Sequence, residues 1–155
     1  MEKTDNKKNS DCIFCKIASG EIPSVKIWED EKHLAILDIN PNTEGMTLVI
    51  TKNHFNSYIF DLPDKNYVEL LNASKEVAKI LEKGLNVERV AMVFEGQGVN
   101  HIHTKLYPMH NINTAKFGDL TGNVYFKEYP GYITTLVGPK RSPEELKKVA
   151  DKIKK

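Results

Sequence analysis

The sequence predicts an α+β fold built on a mainly antiparallel, five-stranded sheet. Three observations predict it. Short apolar or β-branched runs outnumber helical stretches, tight turns separate most of them, and no regular β-α-β alternation appears.

Taken in order, residues 1–11, MEKTDNKKNSD, are polar throughout and read as a disordered tail with no secretory signal. Cys12-Ile13-Phe14-Cys15-Lys16-Ile17-Ala18-Ser19-Gly20 suits a short helix closed by Gly20, and Pro23 keeps it from restarting. Val25 to Trp28 and His33 to Leu37 form two strands joined by the charged turn Glu29-Asp30-Glu31-Lys32. Asn40-Pro41-Asn42 breaks the chain before a β-branched strand from Met46 to Thr51. Between Pro63 and Lys83 the period changes. Tyr67, Leu70, Leu71, Ser74, Val77, Ala78 and Leu81 fall on one helical face, with Asp61 expected to cap the start and Gly84 the end. Arg89 to Phe94 and His101 to Tyr107 complete the sheet. Ser142-Pro143-Glu144-Glu145 is a capping box opening a last helix with Leu146, Val149, Ala150 and Ile153 on one face. The expected organisation is therefore a tail, a domain over 12–110, and an extension over 111–155 packed on that domain and ending in a helix. The aromatics between Phe117 and Tyr132 are expected to pack an extra hairpin, ahead of joining a dimer interface or forming part of a lid.

Composition narrows the function. A chain of 155 residues accommodates one domain, and 22 basic against 21 acidic side chains leave a formal charge of +1. That balance argues against binding nucleic acid or anionic lipid mainly by charge. No apolar run is long enough to span a bilayer, and two cysteines cannot staple a domain of this size. A cytoplasmic protein is expected.

Chemistry concentrates at three places. In a strand, His101, His103, Lys105 and Tyr107 project from one face while Ile102, Thr104 and Leu106 project from the other. Two imidazoles and an ammonium on one face suit an anion site, or the solvated face of an edge strand. Cys12 and Cys15 form a Cys-x-x-Cys pair, which is half a zinc site, a redox couple, or two buried small hydrophobes. Gly96-Gln97-Gly98 precedes the histidine strand, where glycines let backbone N–H groups approach an anion, or simply make a turn.

These clues line up in one order along the chain. Cys12-Ile13-Phe14-Cys15-Lys16-Ile17 is followed by Gly20-Glu21-Ile22-Pro23, Trp28-Glu29-Asp30 and Leu37-Asp38-Ile39-Asn40-Pro41. Gly45-Met46-Thr47-Leu48-Val49-Ile50 then leads to Lys52-Asn53-His54, and Gly96-Gln97 precedes His101-Ile102-His103. In this the chain resembles the histidine triad (HIT) superfamily of nucleotide hydrolases and transferases, from about Asp11 to Pro108.

The resemblance implies a dimerising α+β sheet, hence a homodimer, and a small-molecule nucleotide substrate, most plainly an adenine one. It implies that Ile13, Phe14, Ile36 and Ile39 wall a base pocket and that Asp38 accepts the ribose hydroxyls. It implies a structural zinc on Cys12, Cys15, His54 and His101, with no open position for substrate. It assigns His103 as the nucleophile that attacks the α-phosphorus of a dinucleoside polyphosphate or nucleoside phosphoramidate and becomes nucleotidylated. Gly96 and Gly98 would offer backbone N–H groups to the phosphoryl oxygens, and Gln97 would bond the bridging oxygen or orient water. Magnesium is a further cofactor that substrate phosphates could bring.

Three departures bear on the leaving group. Lys105 stands where the family has its third histidine, giving His-Ile-His-Thr-Lys. The loop before the motif is short, with Phe94-Glu95-Gly96 in place of an asparagine and a longer glycine-rich turn. Gly98 occupies a position where a hydroxyl residue is common. Lys105 is expected to neutralise phosphate as a point charge and to keep His103 unprotonated. Two other classes remain: a nucleotide-binding sensor with little or no turnover, and a disulfide oxidoreductase using Cys12 and Cys15. His110 is expected in a solvated loop, and His33 in a structural or exposed place.

Overall fold

A computed structural model describes residues 9–111, 125–128 and 142. The chain divides into a unit over residues 1–112 and a second over 113–155. The last helix and most of the aromatic segment lie outside the described residues.

Helix α1 spans Ile13–Ala18, and Gly20 follows at φ +81°, the left-handed conformation expected of it. Residues 9–11 are not free tail. The Cys12 amide donates to the Asn9 carbonyl, closing a turn that leads into α1. Strands β1 (Lys26–Glu29), β2 (His33–Leu37), β3 (Thr47–Thr51), β4 (Val90–Val93) and β5 (His103–Pro108) form one antiparallel sheet in the order β1-β2-β3-β5-β4. The histidine strand therefore runs between two neighbours and is not an edge, so a solvated outer face is excluded for it.

The sheet has two apolar faces, and period two decides which residue serves which. Ala35, Val49, Ile102 and Leu106 face helix α2 (Asp64–Leu85), packing with its Leu70, Ala73, Val77 and Leu81. Leu34, Ile36, Leu48 and Ile50 face the other way and pack with Cys12, Phe14 and Cys15 of the N-terminal turn and α1. The site lies on this second face.

Both caps expected for the long helix are displaced. Asp61 belongs to a single 3-10 turn, Ile59–Asp61, and Pro63 is the residue at the helix start. At the other end the helix runs through Gly84 to Leu85, and Asn86 takes the left-handed cap at φ 53°. Asparagine tolerates that conformation better than other side chains, and Gly84 simply sits inside the last turn. Strand β5 also begins two residues later than its apolar pattern suggests. The His101 amide bonds the Val99 carbonyl and the Ile102 amide bonds Phe55, so the ladder with β3 starts at His103.

Candidate metal cluster and nucleophile site

Cys12 is the residue before α1 and Cys15 lies in its first turn, a three-residue spacing that sets both thiols on one side. Both are buried. The Cys12 Sγ lies 3.4 Å from His101 Nδ1, and the Cys15 Sγ lies 3.4 Å from His54 Nδ1 and 3.5 Å from His101 Nδ1. All four donor atoms fall within 4.8 Å of one another. A tetrahedral ion with Zn–S near 2.3 Å and Zn–N near 2.0–2.1 Å would set sulfur and nitrogen about 3.5 Å apart, and the donor set is the sulfur–nitrogen mixture zinc prefers. The residues fit the ion.

The ring of His101 is oriented for this task. Its Nε2–H donates to the Thr51 carbonyl at 2.8 Å, which leaves the Nδ1 lone pair facing the thiols. Burial pushes its pKa down to about 4; the bond to Thr51 opposes the shift, and His54 and His103 add to it. The imidazole is thus neutral at pH 7, as a ligand must be. Thr51 is a residue that sequence reading missed, because a main-chain acceptor carries no side-chain signal.

His103 is buried two residues further on, with Ile50 directly opposite on β3 and Leu34 beyond it on β2. The Phe14 ring meets His103 and His101 edge-on, with centroids 5.2 and 5.8 Å away, so both imidazoles share the α1 face. His103 Nδ1–H donates to the His101 carbonyl at 2.7 Å. That bond assigns the proton to Nδ1 and leaves Nε2 with its lone pair. Burial lowers the His103 pKa, the bond to His101 opposes this, the Lys105 charge lowers it further, and Asp38 and Glu95 pull it back up.

The next row across the sheet is Ile36, Leu48, Lys105 and Val93 on β2, β3, β5 and β4. Lys105 Nζ donates to Glu95 Oε2 at 3.0 Å, with side chains only 20% and 17% exposed. Glu95 follows Val93 by two residues and so returns to the same face. Tyr107 also faces this side, and burial raises its pKa, so it stays a phenol at pH 7.

Of the residues expected in the base pocket, Phe14 and Ile36 lie in the buried cluster, Ile13 is half exposed, and Ile39 is 90% exposed in the loop after β2. Asp38 Oδ1 accepts the Asn40 amide at 2.7 Å, the turn expected before a proline, while its charge is felt at His103. Gly96 and Gly98 take positive φ in the turn between β4 and His101, and the Gln97 side chain is exposed there. His110 donates to the Glu44 carbonyl. His33 is buried and held by the Asp30 carboxylate at 3.0 Å, a structural place. Among the described residues the four-residue cluster is the one group of three or more His, Cys, Asp or Glu side chains close enough to share an ion, and its sulfur–nitrogen donors do not suit magnesium. Among the same residues no helix is long and apolar enough to cross a membrane.

The HIT domain family model matches residues 19–112. The chain belongs to the HIT family. This HIT protein is 37% identical to an uncharacterised HIT-like protein of Methanocaldococcus jannaschii over 115 residues, 70% of this chain and 88% of the other. It is 34% identical to an adenosine 5'-monophosphoramidase of Schizosaccharomyces pombe, over 92% of this chain and 95% of that one. Its fold matches the crystal structure of a zinc-bound histidine triad family protein from Mycobacterium smegmatis with a TM-score of 0.60 and 34% identity, covering 69% of this chain and 81% of that one. Its relatives thus include a named enzyme and a zinc-bound structure of the same fold.

Proposed function

We propose that this HIT protein is a nucleotide hydrolase or transferase that attacks the α-phosphorus of a nucleoside phosphoramidate or dinucleoside polyphosphate through His103. The observation that carries the reading is the 2.7 Å bond from His103 Nδ1 to the His101 carbonyl, which presents Nε2 as a neutral nucleophile. The Nε2 lone pair forms the N–P bond while the bond to the leaving atom breaks. The leaving atom keeps that electron pair and takes a proton from solvent. Water then attacks phosphorus, gives a proton back to solvent, and returns the N–P pair to Nε2. The positive charge on the nucleotidylated ring is shared with the His101 carbonyl through Nδ1–H.

Supporting roles follow from position. Phe14, Ile36, Ile13 and Ile39 would border the base, Asp38 would accept ribose hydroxyls, and Gly96 to Gly98 would turn N–H groups toward phosphoryl oxygens, with Gln97 beside them. Lys105 would clamp a phosphoryl oxygen as a fixed charge. Cys12, Cys15, His54 and His101 would hold a structural zinc, whose chemistry here is to tie the N-terminal turn to the strand bearing His103. A homodimer fits a sheet whose β4, among the described residues, pairs on one side only. A cytoplasmic setting fits thiols kept for metal.

The test is single-turnover hydrolysis of adenosine phosphoramidate and diadenosine tetraphosphate by wild type and His103→Ala. Loss of activity by about three orders of magnitude or more in the variant supports the nucleophile. Wild type that binds AMP yet cleaves neither compound would make the protein a nucleotide sensor.

A further inference from the structure

We propose that Glu95 determines the leaving group of this site: paired with Lys105 on the β4 side of the nucleophile, its carboxylate turns polyphosphates away and favours an amine, that is, a nucleoside phosphoramidate. The inference rests on His103 being the nucleophile and deepens that reading.

Position comes first. His103 and Lys105 stand on β5, with β3 and β2 on one side and β4 on the other. The apolar row Ile36 and Leu48, and Asp38 just beyond β2, lie on the β2–β3 side. A nucleoside laid over them directs the remaining substituent of its phosphorus toward β4. Glu95 is the residue that stands there, two places beyond Val93, which pairs with Lys105. Its bond to Lys105 Nζ is 3.0 Å, and both side chains are mostly buried.

Charge and hydrogen bonding then select. Among the described residues, the ionic groups felt at His103 are one cation, Lys105, against two carboxylates, Asp38 and Glu95. A polyphosphate leaving group brings several further negative charges and only acceptor oxygens. Neither can be satisfied by a carboxylate, which also only accepts, and a mostly buried site screens the repulsion poorly. If the polyphosphate drew Lys105 to itself, it would strain the existing ion pair and set anionic oxygens beside Glu95. An amine leaving group carries N–H donors and no negative charge, so it can donate to Glu95 while Lys105 stays on the phosphoryl oxygen. Glu95 lies six residues before His101 and two beyond Val93, close enough to the end of β4 to stay on this face.

The experiment compares kcat/KM for adenosine phosphoramidate and for diadenosine tetraphosphate in wild type, Glu95→Gln and Glu95→Asp. Wild type should prefer the phosphoramidate. Glu95→Gln should move the ratio toward the tetraphosphate by about tenfold or more, as expected when a unit charge is removed a few ångströms from a multiply charged group. Glu95→Asp, which keeps the charge, should retain the preference. A purely structural role would lower both activities together and leave the ratio in place. An unchanged ratio in Glu95→Gln, with wild type active and His103→Ala inactive, overturns the proposal while the nucleophile reading stands. A wild type that prefers the tetraphosphate also overturns it. Equal activity of wild type and His103→Ala would remove the underlying reading and the proposal with it.

Discussion

Ser74 of the long helix and Thr104 of the strand that bears His103 share a hydrogen bond of 2.9 Å between hydroxyls that solvent does not reach. Ser74 also donates to the Leu70 carbonyl at 2.8 Å. The pair is a polar contact through which α2 reaches the buried, helix-facing side of the sheet, one residue from His103.

Thr104→Val should therefore destabilise the fold by about 1–3 kcal/mol, because it leaves a buried hydroxyl short of a partner. Adding Ser74→Ala should cost less than the sum of the two single changes, since the orphaned group is then gone. Urea denaturation of the two single variants and the double variant measures this. Strict additivity would show that the hydroxyls do not depend on each other.

The Cys12, Cys15, His54 and His101 cluster should hold about one zinc per chain by mass spectrometry of the purified protein. Chelation or Cys15→Ser should lower Tm by about 10 °C or more, equivalent to several kcal/mol at roughly 2–4 °C each. Hydrogen exchange should rise first at residues 9–18, which the cluster ties to His101. Metal-free protein with an unchanged Tm would assign the cluster to packing alone.

Gly96 and Gly98 should respond differently to alanine. Both have positive φ, +73° and +86°, so each substitution costs backbone strain of about 1 kcal/mol. A Cβ on Gly98 would meet nothing within 4 Å, whereas one on Gly96 would lie 2.8 Å from the Ser57 carbonyl oxygen. Gly96→Ala should thus destabilise by about 1–2 kcal/mol more than Gly98→Ala. Equal melting midpoints would mean that the 96–98 turn moves away from Ser57 without cost.

Asp30 links folding to acid. Burial raises its pKa, but the His33 ring and the amides of Lys32 and His33 outweigh it and hold the carboxyl below its usual value of 3.8. A lowered native pKa means stability that is present above the unfolded value and lost as pH falls through the native one. The Asp30 side chain is 42% exposed and solvent screens it, so Asp30→Asn should cost only about 0.5 kcal/mol at pH 7, and the gap from wild type should narrow below about pH 4. Urea melts at pH 7, 5 and 3 would show it. A gap that stays constant across that range would mean that the Asp30 charge contributes nothing.

Much of this architecture is local and therefore legible. The turn Glu29 to Lys32, the left-handed Gly20 and the helical face from Tyr67 to Leu81 each depend on residues within a few positions of one another. The alternation of Ile102, Thr104 and Leu106 with His101, His103 and Lys105 is local too, and it separated the helix-facing side from the chemical side. The metal cluster was legible in a different way, through a resemblance carried by ordered motifs. Neither Cys12 nor His101 announces the other across 89 residues.

Other features escaped. The long helix ends on Asn86 and not Gly84, because which of two permissive residues takes the cap depends on how far packing carries the last turn. Thr51 orients His101 through its carbonyl, and every residue has one. Glu95 had no visible partner, because its pairing with Lys105 needs the β4–β5 register and the length of the turn between them.

By itself, then, the sequence determined the five strands, helices α1 and α2, the two faces of the sheet and the identities of the ligand and nucleophile candidates. Period, turn chemistry and motif order are properties of neighbours along the chain. The tertiary structure alone decided that His103 keeps its proton on Nδ1, that His101 turns Nδ1 to the thiols, and that Lys105 answers to Glu95. Those are contacts of about 3 Å between groups set by strand register and loop length, and a shift of one residue in register would reverse each of them.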